Sequence, residues 1–109
     1  MIFMPIQDIS IADYQQQFTS DTEYILLDVR ETDEYAEGRL PGAINIPLSL
    51  LQLRVGEVGR DKPIVLVCAR GGRSAMAAEF MENLGYGDLY NLIDGTMGWM
   101  MNGLPLERD

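Results

Sequence analysis

A chain of 109 residues with 47% apolar and 23% charged side chains has enough apolar material for one globular core and does not have a disordered composition. One cysteine and no histidine exclude a disulfide framework and leave zinc or haem without their usual ligands, so neither a metal nor a cofactor is expected. A formal charge of −9 with a single lysine argues against nucleic acid as a partner, and no apolar run approaches membrane length.

Residues 1–5 carry neither a basic region nor a long apolar core, so no secretory signal is read there and a cytosolic location is expected, which suits a free thiol. Residues 5–9 predict a short strand. Ser10 then caps a helix that has Asp13 in its first turn and Ile11, Tyr14 and Phe18 along one side. Gln15-Gln16-Gln17 reads as its solvated face. Residues 24–27 form a second strand ending in Asp28-Val29-Arg30, where opposite charges can fix the following loop by pairing with each other or with neighbours. Ligands of open α/β sheets gather outside the carboxyl ends of strands, so Asp28 and Arg30 are expected near the site in a structural role. Residues 32–38 predict a short acidic helix, with Thr32 as cap and Gly38 as terminator.

Pro41-Gly42 marks a turn, residues 43–46 a third strand, and Pro47 its end. Leu48, Leu50, Leu51, Leu53 and Val55 give a helical apolar stretch read as sheet cover. After a turn over residues 59–63, Ile64-Val65-Leu66-Val67 is apolar at every position and reads as a buried strand. A helix follows from Ser74, with Ala77, Phe80, Met81 and Leu84 at helical spacing and Gly85 as stop. A turn over residues 85–88, a fifth strand over residues 89–92 and a helix over residues 97–101 complete the chain. Strands alternating with helices predict an α/β fold, a parallel five-stranded sheet with helices on both faces, in one domain over residues 1–109. The methionines of the last third read as flexible core fillers.

The chemistry concentrates in Val67-Cys68-Ala69-Arg70-Gly71-Gly72-Arg73-Ser74, a strand-to-helix turn that starts at the lone cysteine. Free backbone N–H groups of such a turn point at whatever sits on the sulfur, and the helix dipole adds partial positive charge. Arg70 and Arg73 add two permanent cations, and Gly71-Gly72 lets the backbone curl around a bound group. The same field favours thiolate over thiol at Cys68. A buried structural cysteine is the plainer reading of a lone thiol, but two arginines, two glycines and a helix start within six residues outweigh it.

At these residues the chain resembles the rhodanese family of persulfide-forming sulfurtransferases. Three further stretches match in order: Leu27-Asp28-Val29-Arg30, the run Glu37-Gly38-Arg39-Leu40-Pro41-Gly42-Ala43-Ile44-Asn45-Ile46-Pro47, and the closing Leu92-Ile93-Asp94-Gly95-Thr96-Met97-Gly98-Trp99. The family often has His in place of Arg39 and Gly-Gly in place of Asp94-Gly95. The resemblance implies a rhodanese fold with Cys68 as nucleophile. It also implies that Ala69, Arg70, Gly71, Gly72, Arg73 and Ser74 form the substrate-binding loop, and that Met97 and Trp99 form an apolar wall near it. The implied reaction moves sulfane sulfur from a small anionic donor to a thiophilic acceptor: cyanide in vitro, a thiol or protein cysteine in the cell. With Arg70 two positions after the cysteine, the loop resembles the cationic loops of thiosulfate-type rhodaneses more than the small neutral loops of mercaptopyruvate-type enzymes, which implies thiosulfate as donor. Two other readings compete. One is a persulfide carrier or partner-docking module. The other is a cysteine phosphatase or arsenate reductase, whose loop has one residue more between cysteine and arginine than the four separating Cys68 from Arg73.

Overall fold

The computed structural model describes residues 5–109, so Met1–Met4, on which part of the signal-peptide reading falls, lie outside the described residues. In chain order the elements are β1 (Gln7–Ile9), α1 (Ile11–Gln17), β2 (Ile25–Asp28), α2 (Thr32–Glu37), β3 (Ile44–Asn45), α3 (Leu48–Arg54) with a 3-10 turn over Val55–Glu57, β4 (Ile64–Val67), α4 (Gly72–Asn83), β5 (Leu89–Leu92) and α5 (Gly95–Met101). The strands form one five-stranded sheet in the order β1-β5-β4-β2-β3, and every neighbouring pair is parallel. None of the helices among the described residues is long and apolar enough to cross a membrane.

The two-residue period of a strand divides the apolar runs between two cores. Leu27, Ile64, Leu66 and Leu89 face one way and pack with Leu51 of α3 and with Ala77, Ala78 and Met81 of α4. Leu26, Val65, Val67 and Leu92 face the other way, against Ile11, Tyr14 and Phe18 of α1 and Trp99 of α5. Cys68 continues the alternation of Ile64 and Leu66, so its side chain falls on the α4 side of the sheet. The second core holds an aromatic cluster in which Tyr14 meets Phe18, Tyr24 and Trp99 at ring-centroid distances of 5.8, 5.9 and 6.0 Å.

The connections explain where a site must lie. From β2 the chain moves outward to the edge strand β3, whereas from β4 it moves the opposite way to β5, so the order reverses between two adjacent central strands. Loops leaving such a pair splay apart and open a crevice at the carboxyl ends. Asp28 is in register with Val67, which sets the loops after β2 and β4 side by side.

Ser10 caps α1 as expected, its hydroxyl accepting from the Asp13 N–H at 3.1 Å. Thr32 does not cap α2. Glu31 is the N-cap, in a reciprocal capping box with Glu34, whose carboxylate accepts from the Glu31 N–H at 3.0 Å. A carboxylate three residues into the helix satisfies the orphan donor that the predicted threonine cap would have left open. Helix α4 begins two residues before Ser74, at Gly72, and α5 begins at Gly95 rather than at Met97. The apolar pattern of α3 is only partly cover: Leu51 is buried, while Leu53 is 83% exposed. The methionine reading holds for Met81 alone among the last five, since Met76, Met97, Met100 and Met101 are all exposed.

The two charges at the end of β2 do pair with each other. Arg30 Nη2 lies 2.7 Å from Asp28 Oδ2, both residues are buried, and the same nitrogen donates to the Gly38 carbonyl at 2.7 Å. The Asn45 amide donates to the carbonyls of Asp28 and Arg30, each at 2.9 Å, so a single network fixes the β2–α2 turn. Removing one member of a buried pair leaves the other charge without compensation. Arg30→Ala should therefore lower the unfolding free energy by about 3–5 kcal/mol, measured as a lower urea midpoint at unchanged m value.

Candidate active site

Cys68 is the first residue after β4, and it is 1% exposed. Its Sγ accepts from the Gly71 N–H at 3.1 Å and lies 3.4 Å from the Ser74 hydroxyl. The loop curls back on the sulfur because its carbonyls are held elsewhere. The Thr96 N–H and Met97 N–H at the start of α5 donate to the carbonyls of Cys68 and Ala69 at 2.9 and 3.0 Å, and the Thr96 hydroxyl adds a bond to the Cys68 carbonyl at 3.3 Å. With the Ala69 carbonyl anchored outward, the Arg70 N–H in the same peptide plane turns toward the sulfur.

Two glycines make that closure possible. Gly71 has φ +91°, and a Cβ there would lie 2.7 Å from the Ile93 carbonyl oxygen. Gly95 has φ +63°, and a Cβ would lie 2.6 Å from the Cys68 carbonyl oxygen. Gly72 is different: a Cβ there would meet nothing within 4 Å. The curling of the loop therefore rests on Gly71, and Gly72 serves as the first residue of α4.

Burial pushes the Cys68 thiol upward, but the hydrogen bonds from the Ser74 hydroxyl and from the backbone N–H groups of Ser74, Arg70 and Gly71 outweigh it, so the pKa falls below the ordinary cysteine value. A serine hydroxyl carries one proton, however, and a second acceptor competes for it. Asn91 Oδ1 is only 2.6 Å from Ser74 Oγ, and the orientation of that amide is fixed by its donation to the Gly71 carbonyl at 3.2 Å. The steadiest support for a thiolate is therefore the backbone. Asn91 was not singled out in the sequence, although an amide within the apolar strand Leu89-Tyr90-Asn91-Leu92 is a signal of a buried polar contact.

The two loop arginines differ. Arg70 is exposed and has neither a salt bridge nor a side-chain hydrogen bond among the described residues. Arg73 is bound in a fork: Nη1 and Nη2 donate to Glu34 Oε1 and Oε2 at 2.7 and 3.0 Å. Asp28 and Arg30 lie at the neighbouring strand end. Arg30 shares with Ala69, Thr96, Met97, Met100, Glu34, Glu37, Gly38, Leu106 and Arg108 the walls of a cavity of about 270 Å³ beside the loop. Met97 supplies part of the expected apolar wall. Trp99 does not, because it is buried in the aromatic core and its Nε1 donates to the Pro105 carbonyl at 2.7 Å.

The departures from the family pattern are structural contacts outside the cysteine loop. Arg39 Nη1 meets Asp109 Oδ1 at 2.6 Å beside a backbone bridge between Arg39 and Glu107, which ties residues 106–109 against the α2–β3 connection. Asp94 Oδ2 accepts from the Ile11 N–H at 3.1 Å and so joins the start of α1 to the closing motif.

Comparison with known proteins agrees with this geometry. A rhodanese-like domain family model matches residues 10–102. The chain is 31% identical over 101 residues to a sulfurtransferase of Allochromatium vinosum, covering 93% of this chain and 94% of that protein. It is 30% identical over 83 residues to the thiosulfate sulfurtransferase GlpE of Shewanella oneidensis, covering 76% of this chain and 82% of that protein. Among solved structures, a rhodanese-related protein from Thermoplasma volcanium superposes with a TM-score of 0.83 at 34% identity, covering 94% of this chain and 99% of that one. The parallel sheet, the cysteine turn at its carboxyl edge and these matches agree: the chain belongs to the rhodanese-like domain family, whose named relatives here are sulfurtransferases.

Proposed function

We propose that this chain, as one rhodanese-like domain, transfers sulfane sulfur from thiosulfate or a similar anionic donor through a persulfide on Cys68. The observation that carries the reading is the sulfur at the strand end, facing inward-turned amide N–H groups at the start of a helix. The Cys68 thiolate attacks the outer sulfur of thiosulfate. The new S–S bond forms as the old one breaks, and the electron pair of the old bond leaves with sulfite. Charge is conserved, since thiolate and thiosulfate dianion become persulfide anion and sulfite dianion. An acceptor thiolate or cyanide then attacks the outer sulfur and regenerates the Cys68 thiolate. A thiolate that already exists needs no general base, which fits a chain without histidine.

Loop N–H groups stabilise the persulfide anion, and the free guanidinium of Arg70 meets the anionic donor. The phosphatase reading is the weaker one on two counts. The loop is one residue short, and Arg73, the arginine that would hold a phosphate, is already engaged by Glu34.

Wild type incubated with thiosulfate should gain the mass of one sulfur atom and release it to cyanide as thiocyanate. Cys68→Ser should do neither while keeping its circular dichroism, because a hydroxyl is a far poorer nucleophile and cannot carry a persulfide. Thiocyanate formation by the folded serine variant at a comparable rate would sink the mechanism.

Arg70→Ala should raise the KM for thiosulfate more than that for a neutral polysulfide, since it removes a charge that acts on the donor rather than on the sulfur. Equal losses for both donors would instead make Arg70 a loop-shaping residue.

The thiol should titrate, by thiolate ultraviolet absorbance, at lower pH in the folded protein than in urea. The hydrogen bonds to Sγ favour the charged form, so removing one moves the titration upward. Ser74→Ala should therefore raise the midpoint but leave it below that of the unfolded chain, because the backbone N–H groups remain.

A further inference from the structure

The loop holds two arginines, yet one of them is already spoken for. Arg73 occupies the second position of α4, where the positive end of the helix dipole disfavours a cation. Glu34, reaching across from α2, compensates with a bidentate pair at 2.7 and 3.0 Å. The Glu34 side chain is itself fixed by the capping box, accepting from the Glu31 N–H at 3.0 Å, so it meets Arg73 from a set position. It also lines the cavity beside the cysteine loop.

We propose that Glu34 is a specificity-determining residue that sets the charge preference of the donor site, by holding Arg73 as a neutral pair so that Arg70 is the loop cation left free for an anion. The assignment rests on the reading of this loop as the donor site. Its physical content is a charge count around the Cys68 thiolate: Arg70 and Arg73 contribute two positive charges and Glu34 one negative, leaving one net positive charge from these three side chains to offset the sulfur and meet the donor. Two free guanidinium groups around the N–H cup would favour tetrahedral dianions in general, including sulfate and phosphate that cannot donate sulfur. A single free one leaves selection to the reactive sulfur that the cup accommodates. The pair persists across the working range, because the Arg73 hydrogen bonds, opposed by burial, hold the Glu34 carboxyl down at about 2. Arg73 also stays within reach of the sulfur's field, since the Cys68 charge is among the influences, after Glu34, that keep its guanidinium protonated.

Glu34→Gln tests this without breaking the helix start, since glutamine can also serve in the capping box. Freeing Arg73 should tighten sulfate binding, measured by isothermal titration calorimetry, on the order of tenfold, the size of one charge-assisted hydrogen bond. It should also lower the KM for thiosulfate by a similar factor while leaving that for a neutral polysulfide unchanged. Glu34→Gln combined with Arg73→Ala should abolish both gains. Unchanged or weaker sulfate binding, or equal loss with both donors, would overturn the proposal and make the pair a prop for the loop. The two readings fail separately. Tighter sulfate binding in a protein that transfers no sulfur would keep the Glu34 assignment and remove the sulfurtransferase one. Sulfur transfer with no response to Glu34→Gln would do the reverse.

Discussion

The site depends on two backbone hydrogen bonds that never touch the sulfur. The first-turn N–H groups of α5, at Thr96 and Met97, take the carbonyls of Cys68 and Ala69. A helix start has N–H groups without intrahelical partners, and here a loop supplies the acceptors. Each peptide plane is rigid, so fixing a carbonyl outward fixes the next N–H inward. The geometry follows from Gly95, which lets α5 approach closely, and from Gly71, which lets the loop turn with positive φ against Ile93. Without that pinning the Arg70 N–H, which shares its peptide plane with the Ala69 carbonyl, would be free to rotate away from Sγ, and the balance at a buried sulfur would shift toward the neutral thiol.

Around this turn the polar side chains form two satisfied networks rather than one. Ser74, Asn91 and the Gly71 carbonyl hold the α4 side, while Asp28, Arg30, Asn45 and the Gly38 carbonyl hold the α2 side. No buried side-chain nitrogen or oxygen among the described residues lacks a partner. The division follows the sheet. The loops after β2 and β4 leave toward opposite edges, so each carries its own bracing, and the Glu34–Arg73 pair is the side-chain link between them. That placement lets one ion pair stabilise the crevice and limit its charge at once.

How much of this could be read from the chain varies with the kind of force involved. The five strands and the cover on both faces of the sheet were legible, because an all-apolar run such as Ile64-Val65-Leu66-Val67 has no alternative to burial, while the division of that run between two cores came with the structure. The cysteine turn was legible because its glycines, arginines and helix start are contiguous. Partnerships between distant residues were not. Glu34 read as local helix charge and Arg73 as a donor ligand, since nothing in the order of residues shows that α2 faces the start of α4. The same limit misplaced Trp99 on the cavity wall: the resemblance of the closing motif put it near the loop, and only the packing of α5 shows it turned into the aromatic core. The cap of α2 was missed by one position because a threonine outranks a glutamate as a local cap, whereas the Glu31–Glu34 reciprocity takes both ends of the turn to see.

The competition for the Ser74 proton fits the two-step reaction proposed for this site. In the resting thiolate, negative charge sits on Sγ, and donation from Ser74 has its greatest value there. Once a persulfide forms, that charge moves outward by one S–S bond, about 2 Å, and Sγ becomes a weak acceptor. A hydroxyl with nowhere else to point would then be left unsatisfied in a buried position, at a cost of about 1–3 kcal/mol. Asn91 Oδ1 at 2.6 Å removes that cost, because the proton has a good acceptor whichever sulfur carries the charge. The amide cannot reverse to spoil the arrangement while its nitrogen donates to Gly71. A single-proton hydroxyl between two acceptors thereby always has a partner of its own, while the acceptor it leaves gives up a donor: Asn91 Oδ1 when the proton turns to the thiolate, Sγ when the charge has moved outward.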